Sequence, residues 1–129
     1  MAIVPNRTQF EALAASTDPG PVVMLNLLKF RAAAEGEEGT GADAYRRYSD
    51  GAVKLVEAQG GTILWFGQAQ QVLIGEPADE WDAVALVEYP SRKAFIEMVT
   101  APSYGDVHQH REAGLERTVL LACKAGGNG

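Results

Sequence analysis

A carboxylate that abstracts a proton, an amide that steadies the anion formed and a cation that holds an acidic substrate make a minimal proton-transfer site. Glu88, Asn26 and Arg111 offer these three groups, and His110 is a second candidate base. Asn26 stands in the apolar run from Val22 to Arg31, on the side of an extended strand shared by Val22, Met24, Leu28 and Phe30. A buried amide is hydrogen-bonded or costs about 1 to 3 kcal/mol, so something must satisfy it. Glu88 alternates with Val84 and Leu86. Dry and unpaired it would have the raised pKa of a general base; at a solvated strand end or beside a cation it would be an ordinary carboxylate. Arg111 either clamps an anionic ligand with its planar fork or anchors its helix to a carboxylate. Tyr48 and Trp65, with Tyr45 and Phe66, either line an apolar cavity for a planar ligand or fill the core.

Other chemistries lack their residues. His108 and His110, two apart on a helix, diverge by about 200° and cannot grip one metal ion together; a haem would need one of them to present an uncrowded ring nitrogen. Cys123 reads as a small buried hydrophobe at a strand end, since a nucleophile would need a neighbouring base. Gly36, Gly39 and Gly41 are spaced three and two apart and form no dinucleotide fingerprint. Neither a metal nor a cofactor is expected.

The elements that must position these groups follow from punctuation and periodicity. Asn6 or Thr8 caps a short helix to about Ala15, and Asp18-Pro19-Gly20-Pro21 stops it. Val22 to Arg31 is apolar on both faces, as in a strand buried on both sides. Residues 32–42 are glycine- and glutamate-rich, a surface loop or a lid. Asp43 caps a helix whose Tyr45, Tyr48, Ala52, Leu55 and Val56 share a face until Gly60-Gly61 ends it. Thr62 to Gly75 and Trp81 to Tyr89 read as a hairpin around 76–80. Two short helices follow, from Pro90-Ser91 to Pro102 and from Ser103 or Asp106 to Gly114, before a last strand from Glu116 to Lys124. The order is βαββαβ with an added N-terminal helix: an α+β, ferredoxin-like split βαβ whose sheet carries helices on one face only. One domain spans 1–129, with its core at about 20–124 and a disordered tail at 125–129. The first and third strands are expected to be adjacent, parallel and central, which would bring Asn26 and Glu88 to one cavity.

Composition narrows the partners. With 11 basic and 17 acidic residues the net charge is −6, which disfavours nucleic acid, whose binders show a basic face. No run approaches the about 18 apolar residues of a membrane span, and no basic region precedes an N-terminal apolar stretch. With one cysteine only, a cytoplasmic setting is expected.

The segments Pro21-Val22-Val23-Met24-Leu25-Asn26-Leu27-Leu28-Lys29-Phe30, Val72-Leu73-Ile74-Gly75 and Val87-Glu88-Tyr89-Pro90-Ser91-Arg92-Lys93-Ala94-Phe95, then Ala101-Pro102-Ser103-Tyr104 and His110-Arg111, resemble the family catalogued as domain of unknown function 1330 over residues 20 to 123. The resemblance implies a dimeric α+β barrel, in which two ferredoxin-like sheets pack face to face. Its wider superfamily implies cofactor-free monooxygenases, small-molecule isomerases, haem-dependent peroxidases and non-catalytic ligand-binding modules, among which fold does not choose. The expectation is a homodimer that takes a small organic molecule. It is either an enzyme of the oxygenation or proton-transfer type, with Glu88 or His110 as base, Asn26 as oxyanion donor and Arg111 as clamp, or a binding or assembly module without catalysis.

Overall fold

The structure, a computed structural model, describes residues 4–125. All of the proposed disordered tail except Ala125 lies outside the described residues. The elements are α1 (Arg7–Ala15), β1 (Val22–Phe30), α2 (Gly41–Ala58), β2 (Thr62–Gln68), β3 (Ala83–Tyr89), α3 (Arg92–Thr100), α4 (Pro102–Gly114) and β4 (Leu115–Cys123). They build one four-stranded sheet in the order β2-β3-β1-β4, with every neighbouring pair antiparallel. This is the α+β, ferredoxin-like arrangement with an added N-terminal helix. β1 and β3 are adjacent and central, but antiparallel where a parallel pair was expected. The crossover through α2 returns β2 parallel to β1, and the reversal after β2 sends β3 back between them, against both.

Local chemistry sets the helix starts. Asn6 caps α1, accepting from the Gln9 N–H at 2.8 Å. Thr40, not Asp43, caps α2: its hydroxyl accepts from the Asp43 N–H at 3.1 Å while the Asp43 carboxylate accepts from the Thr40 N–H at 2.9 Å. Asp43 serves the same helix end from three residues further in, the reciprocal pairing of a capping box. Ser91 caps α3 through the Ala94 N–H, and Pro102 opens α4 where a missing N–H costs nothing.

The strand expected to reach Gly75 ends at Gln68, because β3 pairs no further than Ala83. Residues 69–82 form a braced loop with a 3-10 turn at Pro77–Asp79, where the Asp79 carboxylate accepts from the Glu76 N–H at 2.8 Å. The loop leaves Leu73 and Ile74 85% and 94% exposed.

Strand register divides the sheet into two faces. Val22, Met24, Asn26 and Leu28 pair with Tyr89, Val87, Ala85 and Ala83, and this face packs on the helices: Val22, Met24 and Tyr89 with Val56, Phe95 and Met98, and Leu28 and Ala83 with Tyr45 and Leu115. The alternate residues, Val23, Leu25 and Leu27 with Glu88, Leu86 and Val84, look away from the helices, together with Leu121 and Val119 of β4. Among the described residues no helix covers that outer face. On the inner side α2 and α4 meet where Gly41 touches Gly114. A Cβ on Gly41 would lie 2.3 Å from the Arg31 carbonyl oxygen, and one on Gly114 would lie 2.5 Å from the Gly41 carbonyl oxygen. Only glycines allow this approach, and it fixes how α4 presents its side chains to the sheet.

Candidate functional site

A cavity of about 940 Å³ lies between the inner face of the sheet and α1, α2, α3 and α4. That is the size of a pocket for a small organic ligand. Its walls are mainly apolar, with Met24 and Val87 from the sheet, Val56 from α2, and Phe95 and Met98 from α3. Its polar groups come chiefly from two helices. α2 contributes Tyr45 and Tyr48, α4 contributes Tyr104, His108 and Arg111, and Asn26 reaches in from the middle of the sheet. Residues 104, 108 and 111 are four and three apart and therefore share one helix face.

The aromatic side chains form a connected row. Phe30, Tyr45, Tyr48, Tyr104 and His108 meet in succession, tilted or edge to face, with ring centroids 5.2 to 6.2 Å apart. The Tyr48 and Tyr104 hydroxyls are hydrogen-bonded at 2.9 Å. Burial pushes the Tyr45 and Tyr104 phenols well above their ordinary pKa, reinforced by the neighbouring Tyr48, while hydrogen bonding to Arg111 and its positive charge draw Tyr45 part of the way back. Both are therefore neutral O–H donors at neutral pH. Arg111 itself is buried, only 6% exposed.

His108 holds its Nε2 2.9 Å from a Glu112 carboxylate oxygen, while its Nδ1 is buried without a hydrogen-bond partner. Burial lowers its pKa, and the Glu112 charge opposes the shift without reversing it. Near neutral pH the ring is uncharged, with an Nε2–H donated to Glu112 and a lone pair left on Nδ1.

The sequence candidates fall in different places. Asn26, Tyr48 and Arg111 share the cavity. Asn26 donates long hydrogen bonds to the Met24 and Ala85 carbonyls, at 3.3 and 3.5 Å. Glu88 pairs with Val23 and Thr62, so it lies on the outer face, across the sheet from Asn26. Antiparallel register causes the separation: the residue level with Asn26 on β3 is Ala85. Trp65 is also on the outer face, opposite Leu86, and is half exposed. His110 turns away from the cavity and binds Glu37, with Nδ1 2.9 Å from a carboxylate oxygen. Arg47 holds the same carboxylate at 2.7 Å. The His110 and Arg47 bonds keep the Glu37 carboxyl below its ordinary pKa and clasp the glycine-rich loop 32–40 to α2 and α4. Tyr104 was not among the sequence candidates, and His108 entered only as a metal or haem ligand. Their signal was the spacing to Arg111, which puts all three on one helix face.

Among the described residues, no three His, Cys, Asp or Glu side chains gather closely enough to hold a metal ion, and no helix is long and apolar enough to cross a membrane.

Known proteins place the chain in a family. No curated protein matches it. Among solved structures it is similar to the RPA0582 protein of Rhodopseudomonas palustris, described as of unknown function. Over its methylated form the identity is 37% and the TM-score 0.92, covering 99% of this chain and 97% of that one. A dimeric protein of unknown function with a ferredoxin-like fold from Bacteroides fragilis matches at 15% identity and TM-score 0.55, covering 82% of this chain and 97% of that one. The hydroxynitrile lyase of Passiflora edulis matches at 11% identity and TM-score 0.59, covering 82% of this chain and 94% of that one. These last two likenesses are of fold. Residues 37–124 match the family described as Domain of unknown function (DUF1330). The chain belongs to that family.

Proposed function

We propose that this protein is a homodimer in which each protomer binds a small, largely apolar organic molecule with a polar or anionic end in the cavity between sheet and helices. The observation that carries this reading is the cavity's division: apolar walls on most sides, and Tyr45, Tyr48, Tyr104, His108, Arg111 and Asn26 gathered where α2 and α4 face the sheet. Apolar walls supply affinity, and a few convergent polar groups supply orientation. The phenol hydroxyls donate to a carbonyl, carboxylate or phenolate oxygen, and the Arg111 guanidinium beside Tyr45 makes the region favourable for negative charge. Dimerisation is supported by the outer sheet face, where no helix among the described residues covers Val23, Leu25, Leu27, Leu86 and Leu121. Apolar patches of that extent are uncommon on monomers. The dimeric Bacteroides fragilis relative in fold supports it further.

Binding without catalysis is the reading favoured here, because Glu88 and Asn26 lie on opposite faces and share no substrate. Proton-transfer chemistry is a second reading, favoured by the buried, unpartnered Nδ1 of His108 on a ring oriented by Glu112. In it His108 takes the place first given to Glu88 or His110. Native mass spectrometry of the purified dimer tests the binding reading. The dimer should retain added anilinonaphthalene sulfonate, an apolar aromatic anion, one per protomer, and Ala52→Phe, which fills the cavity from α2, should abolish retention. Retention unchanged in that variant would overturn the site.

A further inference from the structure

We propose that the loop between β2 and β3 is an interaction arm that lays Leu73 and Ile74 on a second copy of this chain, extending the seam made by the outer sheet faces. The inference rests on the homodimer reading and deepens it.

Leu73 and Ile74 are consecutive, large and apolar, and are the most exposed large hydrophobic side chains among the described residues, at 85% and 94%. Surface loops ordinarily carry polar side chains at their tips. This loop is also braced. The Ala69 N–H donates to the Asp82 carbonyl at 3.0 Å, the Asp79 carboxylate closes the turn after Gly75, and the Glu80 carbonyl accepts from Arg117 of β4 at 2.6 Å. A braced loop that holds two apolar side chains in solvent presents them to a partner.

Its position identifies the partner. The segment 69–74 borders a concave surface with Trp81, Lys29 and Val84. Val84 and Lys29 belong to the outer set of their strands, and Arg117, opposite Lys29, stacks over the Trp81 ring at 4.1 Å. The arm therefore stands at one end of the outer face, on the side away from the helices, and joins it through a border that carries Lys29, Gln70, Gln71, Asp79, Glu80 and Asp82 beside Trp81 and Val84.

Area supplies the second argument. Four strands about 4.8 Å apart, with about seven paired residues rising about 3.3 Å each, offer about 440 Å² of flat face, against about 800 Å² per partner in a standard specific interface. Side-chain corrugation makes up part of the difference, and contacts beyond the strands must supply the rest. A two-fold seam uses each arm once per protomer, so one sequence feature is counted twice in the dimer.

Analytical ultracentrifugation of the full chain across a dilution series tests this. Wild type should dimerise, and Leu73→Ser combined with Ile74→Ser should raise the dimer dissociation constant about 100-fold or more, since four large apolar side chains leave the interface. Because both side chains are exposed in the protomer, the circular dichroism spectrum of the variant should match that of wild type. A variant that dimerises as tightly as wild type overturns the arm and leaves the sheet-to-sheet dimer standing. A wild-type monomer overturns both. The outer-face variant Leu121→Lys separates the two surfaces: loss of the dimer in Leu121→Lys, with retention in the double variant, assigns the seam to the strands alone and also overturns the arm.

Discussion

Alanine at Gly114 should unfold the protein earlier by an amount that follows from the crossing of α2 and α4. Its Cβ would lie 2.5 Å from the Gly41 carbonyl oxygen and 3.0 Å from the Tyr45 nitrogen. Both obstacles are backbone, so no side-chain rotation relieves them. Relief to an ordinary contact of about 3.4 Å needs the two helix ends to separate by about 0.9 Å, and overpacking of this kind costs about 1 to 3 kcal/mol. With backbone on both sides the upper half of that range applies. For a chain of this length about 1 kcal/mol moves the melting temperature by about 4 °C, so the expected fall is about 10 °C. Gly105 on the same helix is the internal control: nothing lies within 4 Å of its would-be Cβ. Alanine there should raise the melting temperature by about 2 to 4 °C through helix propensity alone. Differential scanning calorimetry of the two variants beside wild type reads both signs. A Gly114→Ala protein that melts within about 2 °C of wild type would refute the close approach. It would also refute the helix placement that brings Tyr45 and Arg111 to the cavity.

Three further outcomes follow. The Asp18 carboxyl is held below its ordinary pKa by the Gly20 N–H and by Lys124 at 3.1 Å, with Arg92 at 3.9 Å adding to it. Its stabilisation is therefore present above the ordinary carboxylate value and lost as pH falls through the lower native one. Urea unfolding of Asp18→Asn should show a deficit at pH 7 that disappears in strong acid; a deficit constant with pH would contradict this. The His108 ring should titrate by NMR below 6.5, so folding stability should decline as pH falls through 6.5 and level off below the native pKa. A midpoint at or above 6.5 would show that Glu112 outweighs burial. Tyr104→Phe should cost about 1 kcal/mol by leaving the Tyr48 hydroxyl without its 2.9 Å partner, measured by chemical denaturation, and a stability equal to wild type would place water on that hydroxyl instead.

The strands and helices were legible in the sequence because each is bounded by residues with one local meaning: Pro19 and Pro21 before β1, Gly60-Gly61 after α2, Pro102 between α3 and α4. β2 was read too long because Val72-Leu73-Ile74 has strand composition. Pairing is a long-range property, and β3 offers no partner beyond Ala83. The same limit separated Glu88 from Asn26, since the relative direction of two strands depends on the crossover between them and not on the residues of either. Within one helix the geometry is local. Arg111 on the buried face of α4 could be anticipated, and Tyr104 and His108 follow from it by spacing. His110, one residue away, projects about 100° aside and meets Glu37. What the cavity encloses was beyond reading, because its volume arises from how α2, α3 and α4 lean on the sheet.

Occupation of the cavity between sheet and helices by a small organic molecule can be read at the methionine methyl groups. Met24 on the sheet and Met98 on α3 both line the cavity and are 2% and 3% exposed. In protein labelled with carbon-13 at the methionine methyls, titration with anilinonaphthalene sulfonate should shift both signals and saturate at one molecule per protomer. Binding that leaves Met24 and Met98 unmoved would place the ligand elsewhere and overturn the cavity as its site.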